Sequence, residues 1–126
     1  MLNLNSILLF SEDPKKLSNF CKKIFQKEPE WAEQGYFGFS VGKSFLTFGP
    51  HKKVKGKNKS PDRMMFNLET TDVMGEFERI KGLGAKVVAK PYQPMEDTKA
   101  WIATFADPDG NYFQLMTPWE GEKSVE

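Results

Sequence analysis

The fifteen residues from Phe105 to Trp119, FADPDGNYFQLMTPW, constrain the fold more than any other stretch, because their pattern occurs twice. Asp107-Pro108-Asp109-Gly110 supplies a tight turn: proline presets φ, and glycine accepts the positive φ of a reversing chain. Tyr112, Gln114 and Met116 then alternate with Phe113, Leu115 and Thr117, the period of a strand with two unlike faces. Pro118, with no N–H to give, ends the ladder. Gly42, Phe45 and Pro50 match Gly110, Phe113 and Pro118 at one offset, 110 − 42 = 68. Leu17 and Phe20 match Met74 and Phe77 at 77 − 20 = 57. The difference makes room in the second copy for a loop, Pro91 to Thr98 (PYQPMEDT). The chain is thus a strand–helix–three-strand unit used twice, an α+β fold whose two copies are too few for a solenoid and are expected to pair around one pocket.

The elements follow from local chemistry. Leu2 to Phe10 alternates as a strand, Asp13-Pro14 opens a helix, and Leu17, Phe20, Cys21, Ile24 and Phe25 form its apolar stripe. Pro29 to Glu33 is a short edge strand. Tyr36–Val41 and Ser44–Gly49 form a hairpin around Gly42-Lys43. Facing Val41 with Ser44 sets Phe39 opposite Leu46 and Phe37 opposite Phe48 on one side; Gly38, Ser40, Phe45 and Thr47 occupy the other, where small residues admit a helix. In the second copy Met64–Glu69 is a strand, Asp72 opens a helix that Gly84 stops, and Ala85–Ala89 and Trp101–Ala106 are strands.

A length of 126 residues suits one domain with its own core. The single cysteine, Cys21, rules out an intramolecular disulfide and reads as a small core residue. No apolar run approaches membrane-spanning length and no signal-peptide pattern opens the chain, so the expectation is a cytoplasmic protein without a membrane partner. The one compositional break is the lysine-rich stretch 51–62, an exposed linker between the copies at 2–50 and 63–119. It lacks interleaved aromatics and the net charge is only +1, so nucleic acid is not an expected partner.

The βαβββ–βαβββ order, the DPDGN turn and the two Gly-x-x-Phe-x-x-x-x-Pro ends resemble the glyoxalase/bleomycin-resistance/dioxygenase family, the vicinal oxygen chelate superfamily, from Leu2 to Trp119. The resemblance implies a single domain over 1–126 with helices outside a curved mixed sheet, and commonly a homodimer. It also implies four metal positions on the concave sheet, which here hold Ser6, Leu46, Arg63 (or Met65) and Gln114. That set contains no imidazole and no carboxylate, so no metal and no other cofactor is expected. His51, the only histidine, cannot build a facial triad within one chain.

What remains is a cleft whose floor, by alternation, includes Leu8, Phe37, Phe39, Leu46, Phe48, Met65, Trp101, Tyr112, Gln114 and Met116, with Ser6 and Arg63 as further polar groups. The expected function is metal-independent binding of an apolar or aromatic small molecule that carries a polar or anionic group. The alternatives are a glyoxalase-like lyase or isomerase with an atypical site, for which Glu69 is the nearest carboxylate, and a structural dimer module without ligand. The sequence alone leaves open whether the protein is an enzyme.

Overall fold

Two aspartates start the two helices. Asp13 Oδ1 accepts from the Lys16 amide at 3.1 Å and Asp72 Oδ1 from the Gly75 amide at 2.9 Å, each satisfying a donor that a helix start leaves open. In the computed structural model, which describes residues 1–96 and 99–119, these caps open α1 (Pro14–Phe25) and α2 (Val73–Gly82). The strands are β1 (Ile7–Ser11), β2 (Trp31–Glu33), β3 (Tyr36–Val41), β4 (Ser44–Pro50), β5 (Met65–Glu69), β6 (Lys86–Tyr92), β7 (Ile102–Ala106) and β8 (Tyr112–Met116). They form two four-stranded mixed sheets, ordered β1-β4-β3-β2 and β5-β8-β7-β6, with β1–β4 and β5–β8 the parallel pairs. The chain divides into an N-terminal unit, residues 1–57, and a C-terminal unit from Asn58 on, each a βαβββ module. No helix among the described residues is long and apolar enough to cross a membrane.

The first strand is shorter than expected: residues 2–6 are exposed and outside the sheet. β6 runs longer, taking in Pro91 and Tyr92 of the expected loop, and Asp97 and Thr98 of that loop lie outside the described residues. The hairpin register is as predicted, with Val41 opposite Ser44, Phe39 opposite Leu46 and Phe37 opposite Phe48.

The faces of that hairpin are the reverse of the expectation. Phe39 and Phe48 are 0% and 1% exposed and pack with Leu17 and Cys21 of α1, and Phe37, Leu46, Leu9 and Val41 close around them. Phe25 meets Phe39 edge-on at 5.6 Å. Thus Phe37, Phe39, Leu46 and Phe48 are helix-side core and not the floor of a cleft. An amphipathic helix needs a broad apolar partner, which the Gly38–Ser40 side does not offer. The C-terminal unit repeats the arrangement: Phe77 of α2 packs on Phe105 at 5.2 Å, and Phe105 stacks on Phe113 at 5.6 Å.

The repeat offsets shift accordingly. Helix-side residues are even-numbered on β4 (Leu46, Phe48) and odd on β8 (Phe113, Leu115), so an offset of 68 slips the strands by one and swaps their faces. Gln114 corresponds to Thr47, at 114 − 47 = 67, and not to Leu46. In the helices the buried residues Leu17, Cys21 and Ile24 correspond to Val73, Phe77 and Ile80 at an offset of 56, whereas Met74, set against Leu17 at 57, is 45% exposed.

One device protects the short edge. β2 pairs with β3 only from Tyr36 to Gly38, which leaves Ser40 without a strand partner on that side. Glu30 Oε1 accepts from the Ser40 amide at 2.8 Å, and Lys27 Nζ donates to the Ser40 carbonyl and to Glu30 Oε2. The ion pair stands in for a strand and blunts the edge against pairing with another chain.

Candidate functional site

With the helix-side faces filled, each sheet keeps one face turned away from its own helix. In the C-terminal unit register places three rows there: Met65, Tyr112 and Ala106; Asn67, Gln114 and Thr104; Glu69, Met116 and Ile102. The middle row is polar and the outer rows mainly apolar. Gln114 Nε2 donates to Thr104 Oγ1 at 3.1 Å, and Thr104 is only 4% exposed, so the amide is held by a buried anchor. Asn67 sets a second amide beside it in register. The row offers neutral donors and acceptors to a ligand seated on the face.

The turn that sets this register is built around Asp107. Its Oδ1 accepts from the amides of Asp109 and Asn111, both at 2.9 Å, and its Oδ2 from Asn111 Nδ2 at 3.2 Å. Gly110 takes φ +81, open to glycine at little cost. Asn58 fastens the turn from outside, donating its amide to the Asp109 carbonyl at 2.8 Å and Nδ2 to Asn111 Oδ1 at 3.0 Å. Burial pushes the Asp107 carboxyl up to about 6, against the lowering bonds from Asn111, and the nearby Asp109 charge adds to the rise.

In the N-terminal unit the corresponding face is aromatic. A Cβ on Gly38 would lie 2.7 Å from the Phe45 ring and 3.4 Å from Trp31, and one on Gly49 would lie 2.2 Å from Tyr36. Two strand glycines therefore let two rings lie against the backbone. Trp31 and Tyr36 approach to 6.2 Å, and Leu8 and Thr47 complete the row of Gly38 and Trp31.

Of the residues predicted from sequence, Met65, Tyr112 and Gln114 share the open face of the C-terminal unit, and Leu8 lies on that of the N-terminal unit. Phe37, Phe39, Leu46 and Phe48 do not face outward. Trp101 exchanges hydrogen bonds with Thr117: its carbonyl accepts from the Thr117 amide at 3.1 Å and its amide donates to Thr117 Oγ1 at 3.0 Å; it continues β7 with the parity of Ala103 and Phe105, away from the Gln114 row. Ser6 precedes β1 and Arg63 closes a 3-10 turn before β5, both exposed. The sequence reading missed Asn67, Thr104, Trp31, Tyr36 and Phe45. Strand alternation, anchored on the apolar stripe of each helix, would have found them.

The glyoxalase-like domain family model matches residues 6–116, nearly the whole of both modules. The chain belongs to this family. No curated protein sequence matches this glyoxalase-like chain. Among solved structures it is similar to the fosfomycin resistance protein FosX from Listeria monocytogenes, in complex with Mn(II) and sulfate, with a TM-score of 0.76 at 21% identity over 100% of this chain and 99% of that one. FosX from Mesorhizobium loti gives 0.68 at 17%, covering 98% of each chain. A glyoxalase/bleomycin resistance protein/dioxygenase family enzyme from Burkholderia phytofirmans gives 0.73 at 18%, covering 92% of this chain and 98% of that one. At these identities the likeness is one of fold.

Whether this glyoxalase-like chain has the donors for a metal such as that Mn(II) can be asked of its residues. The open-face counterparts on β8 and β4 are Gln114 and Thr47, flanked in register by Asn67 and Leu8: two neutral amides, a hydroxyl and a hydrocarbon. Among the described residues no three His, Cys, Asp or Glu side chains come together. Hard divalent ions bind through carboxylates, and Zn²⁺ through imidazole and thiolate as well, so this donor set does not fit one.

Proposed function

We propose that the protein binds a small apolar or aromatic molecule with a polar or anionic group, without a metal, on the open sheet face that carries Gln114. The observation that carries this reading is the Gln114–Thr104 pair, a neutral amide held in place between the rows of Tyr112 and Met116. The amide orients the ligand by hydrogen bonds, and Tyr112, Met65 and Met116 supply apolar contact. Arg63, exposed two residues before β5, and Lys86, exposed and in register with Ala106 on the same face, are the cations for an anionic group. A homodimer belongs to the same reading, since Leu8, Trp31 and Met65 are 47%, 42% and 37% exposed.

A thermal-shift screen of aromatic carboxylic acids, followed by calorimetry, tests it. Gln114→Leu is expected to weaken a hit about tenfold, ~1.4 kcal/mol, with the melting temperature of the free protein little changed. Hits that bind Gln114→Leu and Tyr112→Ala as tightly as the native chain would place the ligand elsewhere.

One observation favours a second reading, a glyoxalase-like lyase or isomerase. Glu69 lies on the same face, in register with Met116 and one row from Gln114, where a carboxylate serves as a proton acceptor. Turnover of a hit that Glu69→Gln abolishes while binding persists would establish this reading over simple binding.

A further inference from the structure

The lysine-rich stretch after β4 is not a loose connector. Val54 N–H donates to the His51 carbonyl at 2.9 Å, Lys53 N–H donates to His51 Nδ1 at 3.1 Å, and the His51 ring meets Phe10 edge-on at 4.9 Å. Gly56 N–H then donates to Glu12 Oε1 at 2.9 Å, which ties the strap beside the start of α1. The first turn of α1 contains no acidic residue and carries exposed Lys15 and Lys16. Lys52, Lys53, Lys55 and Lys57 are exposed on the strap, and none of these six lysines has an ion pair among the described residues. The two acids at the centre are already engaged: Glu12 with the Gly56 amide and Asp13 with the Lys16 amide.

Charge is divided to match. Residues 1–57 hold ten Lys or Arg against five Asp or Glu, a net of +5; residues 58–126 hold eight against twelve, a net of −4, which together give the chain's +1. Near-neutrality of the whole chain therefore hides a strongly basic unit, and the expectation against nucleic acid rested on that average together with the lack of interleaved aromatics. Lysines gathered on a fixed strap and left unpaired repel one another, and a partner rich in phosphate relieves that repulsion.

We propose that this surface docks on the phosphate backbone of double-stranded nucleic acid without reading its sequence. The composition of the strap selects among polyanions. It has no Phe, Tyr or Trp to stack on splayed bases, and its one ring, His51, already packs edge-on against Phe10, which argues against single strands. Its one apolar residue, Val54, is half-buried, so it has no exposed apolar side chain to insert into a bilayer. Lysine point charges suit phosphate oxygens.

Fluorescence anisotropy with a random-sequence DNA duplex of about 30 base pairs, titrated at several KCl concentrations from about 50 mM upward, tests this proposal. Each engaged lysine adds about 0.9 to the slope of log Kd against log salt, so the native chain is expected to show a slope of about 4 or more. Lys52→Gln, Lys53→Gln, Lys55→Gln and Lys57→Gln combined should lose most of that slope and weaken binding at least about tenfold at the lowest salt, while the four arginine replacements retain it. All four positions are exposed, and an unchanged melting curve confirms that the glutamine variant folds. The proposal is overturned by no duplex binding at the lowest salt, by equal binding of the glutamine variant, by preference for oligo(dT) over duplex, or by binding to phosphatidylserine vesicles in place of the duplex.

Discussion

Phe39→Ala is expected to destabilise the N-terminal unit by about 3–5 kcal/mol, the cost of emptying a fully buried phenylalanine site. Phe39 is 0% exposed, lies 5.6 Å from Phe25 and 5.9 Å from Phe48, and seals the contact between α1 and the hairpin. Neither neighbour can swing into the space without losing its own packing, because α1 and β4 hold both in place. A urea or thermal melt followed by circular dichroism reads the loss. The same change made on an open floor would leave the melt nearly unchanged and lower only ligand affinity. The experiment therefore decides which face of the hairpin is the core.

Asp107 should make stability fall as pH rises from about 4 to about 6. Its carboxyl is pushed up to about 6 by burial in the turn, whereas in the unfolded chain it titrates near the ordinary value of 3.8. Between those values the folded state holds the extra proton, so deprotonation on raising the pH favours unfolding. The contribution is fully present below about pH 4 and is lost through pH 6; a rise of this size corresponds to roughly 1–3 kcal/mol. Asp107→Asn keeps an oxygen for the Asp109 and Asn111 amides and carries no charge, so the difference in stability between variant and native chain should grow in the variant's favour across that window. Parallel curves of unfolding free energy from pH 4 to pH 7 would show that Asp107 titrates as an exposed carboxylate.

The architecture was legible because its signals are local. Asp13-Pro14 and Asp72 mark helix starts through their side-chain caps, and the DPDGN turn carries its own hydrogen-bond plan in Asp107, Gly110 and Asn111. Which face of each strand meets the helix is not local. The hairpin around Gly42-Lys43 has a large apolar row on one side and Phe45 with small residues on the other, and alternation alone permits either to be the core. The decision comes from α1, whose stripe of Leu17, Cys21 and Ile24 needs the broader partner. The same ambiguity moved the expected metal counterpart of Gln114 from Thr47 to Leu46, since one residue of slip exchanges the faces. Thr104 was hidden for another reason: it stands between Ala103 and Phe105 in a strand buried on both faces, and only pairing with β8 shows that it anchors Gln114.

Calorimetry of a screened aromatic carboxylate against chelator-treated protein, with Mn²⁺ or Zn²⁺ added back in parallel, tests the central claim most directly. Metal-free binding through the Gln114 row predicts the same affinity with and without added ion, and about a tenfold loss in Gln114→Leu under both conditions. Binding that appears only when the ion is restored would contradict it.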